Sequence, residues 1–155
     1  MGLAMLKTRL NDKGLTLMEL LAVLVILGII AAIAIPSVLK VIGDMRDRAF
    51  IANAWNMKEA TDFYIKEATT SGTDAKERIT YNELVESGYM GTFNDPDTDR
   101  ELVPSDKSYV TIQNNIAIAV CLKGENRKLC TEEDGVEQAI QYKDLSPSQI
   151  VSNNN

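Results

Sequence analysis

Residues 13–36 read KGLTLMELLAVLVILGIIAAIAIP, and this stretch decides how the rest of the chain is organised. From position 15 to 35 it is nearly uninterrupted apolar sequence, with Glu19 its only charge. Folded as an α-helix, residues 15–35 span roughly 31 Å, close to the hydrocarbon thickness of a bilayer. The 14 residues before it carry Lys7, Arg9 and Lys13 against Asp12, a net of +2. A basic segment ahead of an apolar helix predicts an N-terminus held in the cytoplasm and export of everything after Pro36. An ordinary secretory signal has the same outline, and Ala32-Ile33-Ala34 offers the small-x-small pattern of a signal-peptidase site. The two readings differ in where the mature chain starts.

Downstream of Pro36 the helical pattern continues. Residues 37–68 contain no proline and a single glycine, Gly43. Phe50, Ala54, Met57, Thr61, Tyr64 and Ala68 recur at alternating four and three, widened by Ile51, Trp55 and Ile65, with charged residues over much of the remainder. This predicts an amphipathic helix over 40–68 that prolongs a membrane helix over 15–39, ended by TTSGTD at 69–74. Residues 69–155 read as a small globular region. Thr80-Tyr81-Asn82-Glu83 is a capping box opening a short helix that stops at Gly88. Two β-rich runs, 108–113 and 116–122, flank Asn114-Asn115, a pair suited to a tight hairpin turn. A two-residue turn puts Tyr109, Thr111, Ile118 and Val120 on one face, and Val110, Ile112, Ala117, Ala119 and Cys121 on the other. Both faces are apolar and need cover, one from the amphipathic helix and the other in part from residues 131–145. The tail after residue 145 reads as frayed. The expected fold class is α+β: a long N-terminal helix packed on a small antiparallel sheet.

Within the opening stretch, Gly14 leaves a flexible backbone just before the apolar helix, where a peptidase can grip. Cleavage there would expose an amine on Leu15, and Glu19 sits one turn later on the same face. A carboxylate in a membrane helix costs about 2.5–3.5 kcal/mol on insertion scales, so its presence points to function and to a positive partner. The Leu15 amine of a neighbouring copy is such a partner. The residues Gly14, Leu15, Thr16 and Glu19 resemble, position by position, the cleavage and methylation site of type IV prepilins and the related pseudopilins. Leucine stands where phenylalanine is commoner. The resemblance implies removal of residues 1–14 by prepilin peptidase, N-methylation of Leu15, and assembly directed by Thr16 and Glu19. Pro36 lacks an amide hydrogen and Gly28 has low helix propensity, and the resemblance implies that Gly28–Pro36 melts locally in the filament. The phrase Arg48-Ala49-Phe50-Ile51-Ala52-Asn53-Ala54 looks more like pilins of Gram-positive bacteria.

The resemblance therefore implies a structural pilus subunit: a single-pass precursor in the cytoplasmic membrane, then a cell-surface filament. Its partners would be copies of itself, the peptidase, the assembly machinery and, before assembly, membrane lipid. A pseudopilin of a secretion or DNA-uptake system is the alternative, and an anchored or secreted enzyme is a more distant one. The chain has no histidine, which removes Ser/His and Cys/His catalysis and histidine-ligated metal sites. No enzymatic activity and no cofactor are expected. Residues 15–155 hold 13 basic and 21 acidic residues, a net of −8, which opposes bulk attraction to nucleic acid. Lys123, Arg127 and Lys128 form a weak candidate DNA contact, and more simply a solvated turn. Cys121 and Cys130, in an exported chain, are expected to pair, two free thiols being the alternative. Asp95, Asp97 and Asp99 resemble half of a calcium loop. Pro96 intrudes and Arg100 replaces the needed glycine, so no metal is expected there.

Overall fold

A computed structural model describes residues 12–153, with side chains from Thr16 onward. Residues 1–11, most of the expected leader, lie outside the described residues. The chain divides into two compact units, residues 1–42 and residues 43–155.

One helix, α1 (Asp12–Thr70), contributes to both. Within the first unit the described residues are all helical, and the helix runs through Pro36 without a break. The helix stops where left-handed backbone takes over at Gly72 (φ 72°). There the Thr73 and Gly72 amides donate to the carbonyls of Ala68 and Thr69, at 2.9 and 3.2 Å, in a Schellman-type closure.

The second unit is the α+β fold expected. After α1 come β1 (Arg78–Thr80), α2 (Tyr81–Glu86), β2 (Tyr109–Gln113), β3 (Ile116–Lys123), β4 (Arg127–Leu129), β5 (Thr131–Glu133), β6 (Val136–Gln138), β7 (Ile140–Gln141) and β8 (Val151–Ser152). The main sheet runs β1-β2-β3-β4-β8 with β7 also on β3, all pairs antiparallel, and β5–β6 stand apart as a two-stranded hairpin. The capping box is formed: the Glu83 amide donates to the Thr80 hydroxyl and the Thr80 amide to the Glu83 carboxylate. Asn114 and Asn115 are both left-handed (φ 51° and 59°), the conformation a two-residue hairpin turn requires.

Phe50, Ala54, Met57, Thr61 and Ile65 from α1 face Val110, Val120, Leu122 and Leu129 from the sheet, with Tyr81 and Leu84 of α2 closing the core. Buried polar groups on this face are satisfied locally. The Thr61 hydroxyl donates to the Met57 carbonyl at 2.7 Å, and the Tyr142 hydroxyl to the Ala54 carbonyl at 3.2 Å.

Two expectations need correction. The hairpin register shifts between Thr111 and Ile112, so Ile112 lies opposite Ala117 while Thr111 lies opposite Ala119. The extra residue, Ile118, is a bulge, and every side chain beyond it changes face. Val120 therefore sides with Val110 on the core face, while Ala119 and Cys121 side with Thr111 and Tyr109. The tail is also not frayed at residues 151–153. Val151 and Ser152 pair with Lys128 and Arg127, and the Asn153 side chain donates to the Gly124 carbonyl at 2.6 Å. Backbone pairing outweighs the polar composition that reads as disorder.

Cys121 and Cys130 form a disulfide. They fall at the next step of the β3–β4 register set by Leu122↔Leu129 and Lys123↔Lys128, and both are buried. Closing so short a loop stabilises by about 2–3 kcal/mol. Replacing both cysteines with alanine should lower the unfolding free energy of the domain by that amount. Denaturant titration of the detergent-solubilised chain measures it, and an unchanged midpoint would show that strand pairing alone holds β4 in place.

Candidate functional site

Around the whole circumference of the first unit's helix, large apolar side chains meet solvent. Leu17 is 72% exposed, Met18 70%, Ile30 57% and Ile33 72%. Its most apolar stretch has a mean hydropathy of 2.8, and none of it is buried. An amphipathic helix would have one dry face, whereas this one has none and needs an apolar surrounding on all sides. Length and composition suffice to cross a membrane.

Thr16 and Glu19 stand exposed near the start of this helix. Gly14 lies within α1 and not just before it as expected, since the helix already begins at Asp12; Leu15 is helical in backbone, and its side chain lies outside the described residues. Four residues of helix separate the Leu15 nitrogen from Glu19, about 6 Å of rise. One polar pair of positions thus heads a helix that is otherwise lipid-like. Residues 9–35 match the family model described as the prokaryotic N-terminal methylation motif. The chain carries the signature of the type IV pilin and pseudopilin family. No curated protein and no solved structure matches it. The pilin-type motif, with its apolar helix, fits a membrane-anchored precursor and a structural rather than enzymatic protein.

In the second unit of this pilin-like chain, the charged residues singled out in the sequence are arranged differently from either metal or DNA site. Asp95 is fully buried, and its carboxylate accepts from the backbone amides of Asp97 (2.8 Å) and Glu125 (2.7 Å). Gly124 is what allows this seat: a β-carbon there would lie 2.5 Å from Asp95 Oδ2 and 3.0 Å from the Phe50 ring. Asp97 takes both ends of the Arg127 guanidinium, whose remaining nitrogen reaches Asp47 on α1. Asp99 takes the left-handed corner of the loop (φ 54°). Asp95, Asp97 and Asp99 thus do not converge, and no cluster among the described residues is arranged to hold a metal. The guanidinium occupies the role that a cation would have had.

The basic trio is equally committed. Lys123 pairs with Glu137, Arg127 with Asp97 and Asp47, and Lys128 with Glu132 (3.4 Å) and Glu137 (3.1 Å). The hydrogen bond from Lys123, then that from Lys128, holds the Glu137 carboxyl below its usual value. Its contribution is complete at neutral pH and fades as pH falls through that lowered value. A side chain whose charge is already met inside the fold has little left for phosphate, so the nucleic-acid reading loses its residues.

The Arg127 cluster was not legible from sequence. The acids were visible, but their cation lies 30 residues from Asp97 and 80 from Asp47. Arg127 and Asp97 side chains are 17% and 10% exposed, so removing the arginine strands a carboxylate out of water. Arg127→Met should destabilise the domain by about 3 kcal/mol. Arg127→Lys should recover a minor part, because an ammonium cannot bridge two carboxylates in a fork. Thermal unfolding monitored by circular dichroism reads both, and equal melting temperatures for all three proteins would refute the clasp.

Proposed function

We propose that the chain is a structural subunit of a type IV pilus, made as a single-pass membrane precursor and assembled through its N-terminal helix. The observation that carries this reading is Gly14-Leu15-Thr16 with Glu19, set in the first turns of a helix whose large apolar side chains beyond them are exposed on every side. Prepilin peptidase cuts after Gly14 and the new Leu15 amine is methylated. In the membrane, lipid covers the helix; in the filament, the helices of other copies replace lipid. Glu19 of one copy accepts the Leu15 ammonium of the next, and the pair sets the axial step. The segment Gly28–Pro36 extends when helices are drawn together, since Pro36 already lacks one backbone donor. The domain, residues 43–155, faces outward.

The mature surface form should begin at Leu15 and carry one methyl group on its amine. Intact-mass spectrometry decides this, and a chain beginning at Ile35 would mark ordinary signal-peptidase cleavage and end the pilin reading. Long filaments in sheared surface material support a pilus, and short membrane-bound fibres a pseudopilus.

Glu19→Val removes a desolvation cost of about 3 kcal/mol, so insertion becomes easier. Each Leu15 amine then enters the filament core without a carboxylate, and an unpaired buried charge is strongly unfavourable. The variant should accumulate in the membrane, cleaved at Gly14, with few or no filaments outside. Glu19→Asp should assemble partially. Normal filament yield from Glu19→Val, counted by electron microscopy, would show that apolar packing alone sets the register.

A further inference from the structure

Strand register sets two like-charged pairs against each other. Lys123 lies directly opposite Lys128 where β3 meets β4, and Glu132 directly opposite Glu137 where β5 meets β6. Residues paired in this way share one face of their strands, so each pair repels itself. Leu122 and Leu129, the adjoining pair of the same ladder, point into the core, which sends both lysines to the other face of the sheet. The hairpin lays its two acids against them. Glu137 pairs with Lys123 and, at 3.1 Å, with Lys128, while Glu132 reaches Lys128 at 3.4 Å. Two arrangements that are unfavourable apart balance each other when docked.

Apolar packing does not reinforce the contact. No residue of 131–138 belongs to the hydrophobic core or packs on it, and Val136, the hairpin's one large aliphatic side chain, is 58% exposed. Among the described residues, the side-chain links from the hairpin to the main sheet are these ion pairs. The hairpin also has a pivot. It leaves the sheet after Cys130, which is bonded to Cys121, and the chain returns at Ile140, opposite Val120. Both anchors therefore sit on neighbouring residues of β3. The arm between them can turn about that point without breaking a ladder of the main sheet.

We infer that β5–β6 is a flap latched by charge, held on the sheet while Glu137 is ionised and released on its two anchors when that carboxylate is neutralised. The groups facing Glu137 are Lys123 of β3, Lys128 of β4 and Glu132 of β5. The hydrogen bond from Lys123, then that from Lys128, holds the Glu137 carboxyl below its usual value. The latch is therefore complete at neutral pH and weakens as pH falls through that lowered value. Lys128 supplies the opening force. Its side chain is 8% exposed, and an ammonium held out of water beside a second ammonium moves toward solvent once its carboxylate is neutral. Release replaces a balanced set of four charges with two bare ammoniums on one face of the sheet. This concerns the domain alone and does not depend on the filament reading.

Magnetic resonance relaxation of the full-length, isotope-labelled chain in detergent micelles tests it. At neutral pH the wild-type backbone amides of Glu133, Asp134 and Val136 should have order parameters of about 0.85, like those of β3. In Glu137→Gln at the same pH they should fall below about 0.6 while β3 keeps its value. In the wild type, the same loss of order should follow the protonation of Glu137 itself, read from its side-chain carboxyl shift during an acid titration. A hairpin that stays ordered in Glu137→Gln, or in the wild type after Glu137 has been protonated, would show that the two anchors fix the arm unaided and would overturn the latch. Loss of order spread through β2 and β3 of the variant at neutral pH would overturn it too, because the ion pairs would then be supporting the sheet and not a flap.

Discussion

An apolar helix with no dry face is the constraint from which the rest of this protein follows. Each large side chain between Leu17 and Ile35 leaves roughly half or more of its surface open, and every square ångström of that costs about 25 cal/mol in water. Soluble monomers do not carry such a surface. It needs an apolar surrounding, and on the proposed function it passes from one such surrounding to another without meeting water between them. Gly14 near the start of the apolar run, a lone carboxylate at Glu19 and a proline further along at Pro36 all make sense on the proposed route from lipid to filament. Each would be a liability in a helix meant to stay where it was inserted.

Patterns carried by neighbours in sequence were legible, and those carried by distant partners were not. The membrane run, the amphipathic continuation, the Thr80 capping box and the Asn114-Asn115 turn each depend on residues within about one helical turn or one hairpin. The Ile118 bulge escaped because nothing local distinguishes a regular ladder from one with an extra residue when both faces are apolar. Strands β4 to β8 escaped because three of them are polar and none exceeds three residues. In the candidate site, the motif from Gly14 to Glu19 could be read directly, whereas the commitment of Arg127 to Asp97 and Asp47 required the fold. The basic trio at 123, 127 and 128 looked available only while its carboxylate partners were invisible.

The domain meets its own charges with care because its core is thin. Asp95 is placed out of water only where two amides point at it and a glycine leaves room, and Arg127 ties α1, the 94–101 loop and β4 together through one guanidinium. Such paired buried charges add less to stability than apolar packing of the same volume, but they penalise any arrangement that breaks them. Their effect is to hold a loop without regular secondary structure in one position against the helix.

The sheet's outer strand has a consequence for biogenesis. Strand β8 covers β4, and β4 carries both the arginine that reaches Asp47 and the lead-in to Cys130. Residues 151–153 thus cover the edge of a strand that clasps the helix more than a hundred positions earlier in the chain. Long-range closures of this kind are slow, and the pairings that precede them are incomplete. The domain cannot reach its final form until residues 151–153 have closed that edge. Until then β4 keeps an open edge, and the strand that holds Asp47 through Arg127 lacks its outer neighbour.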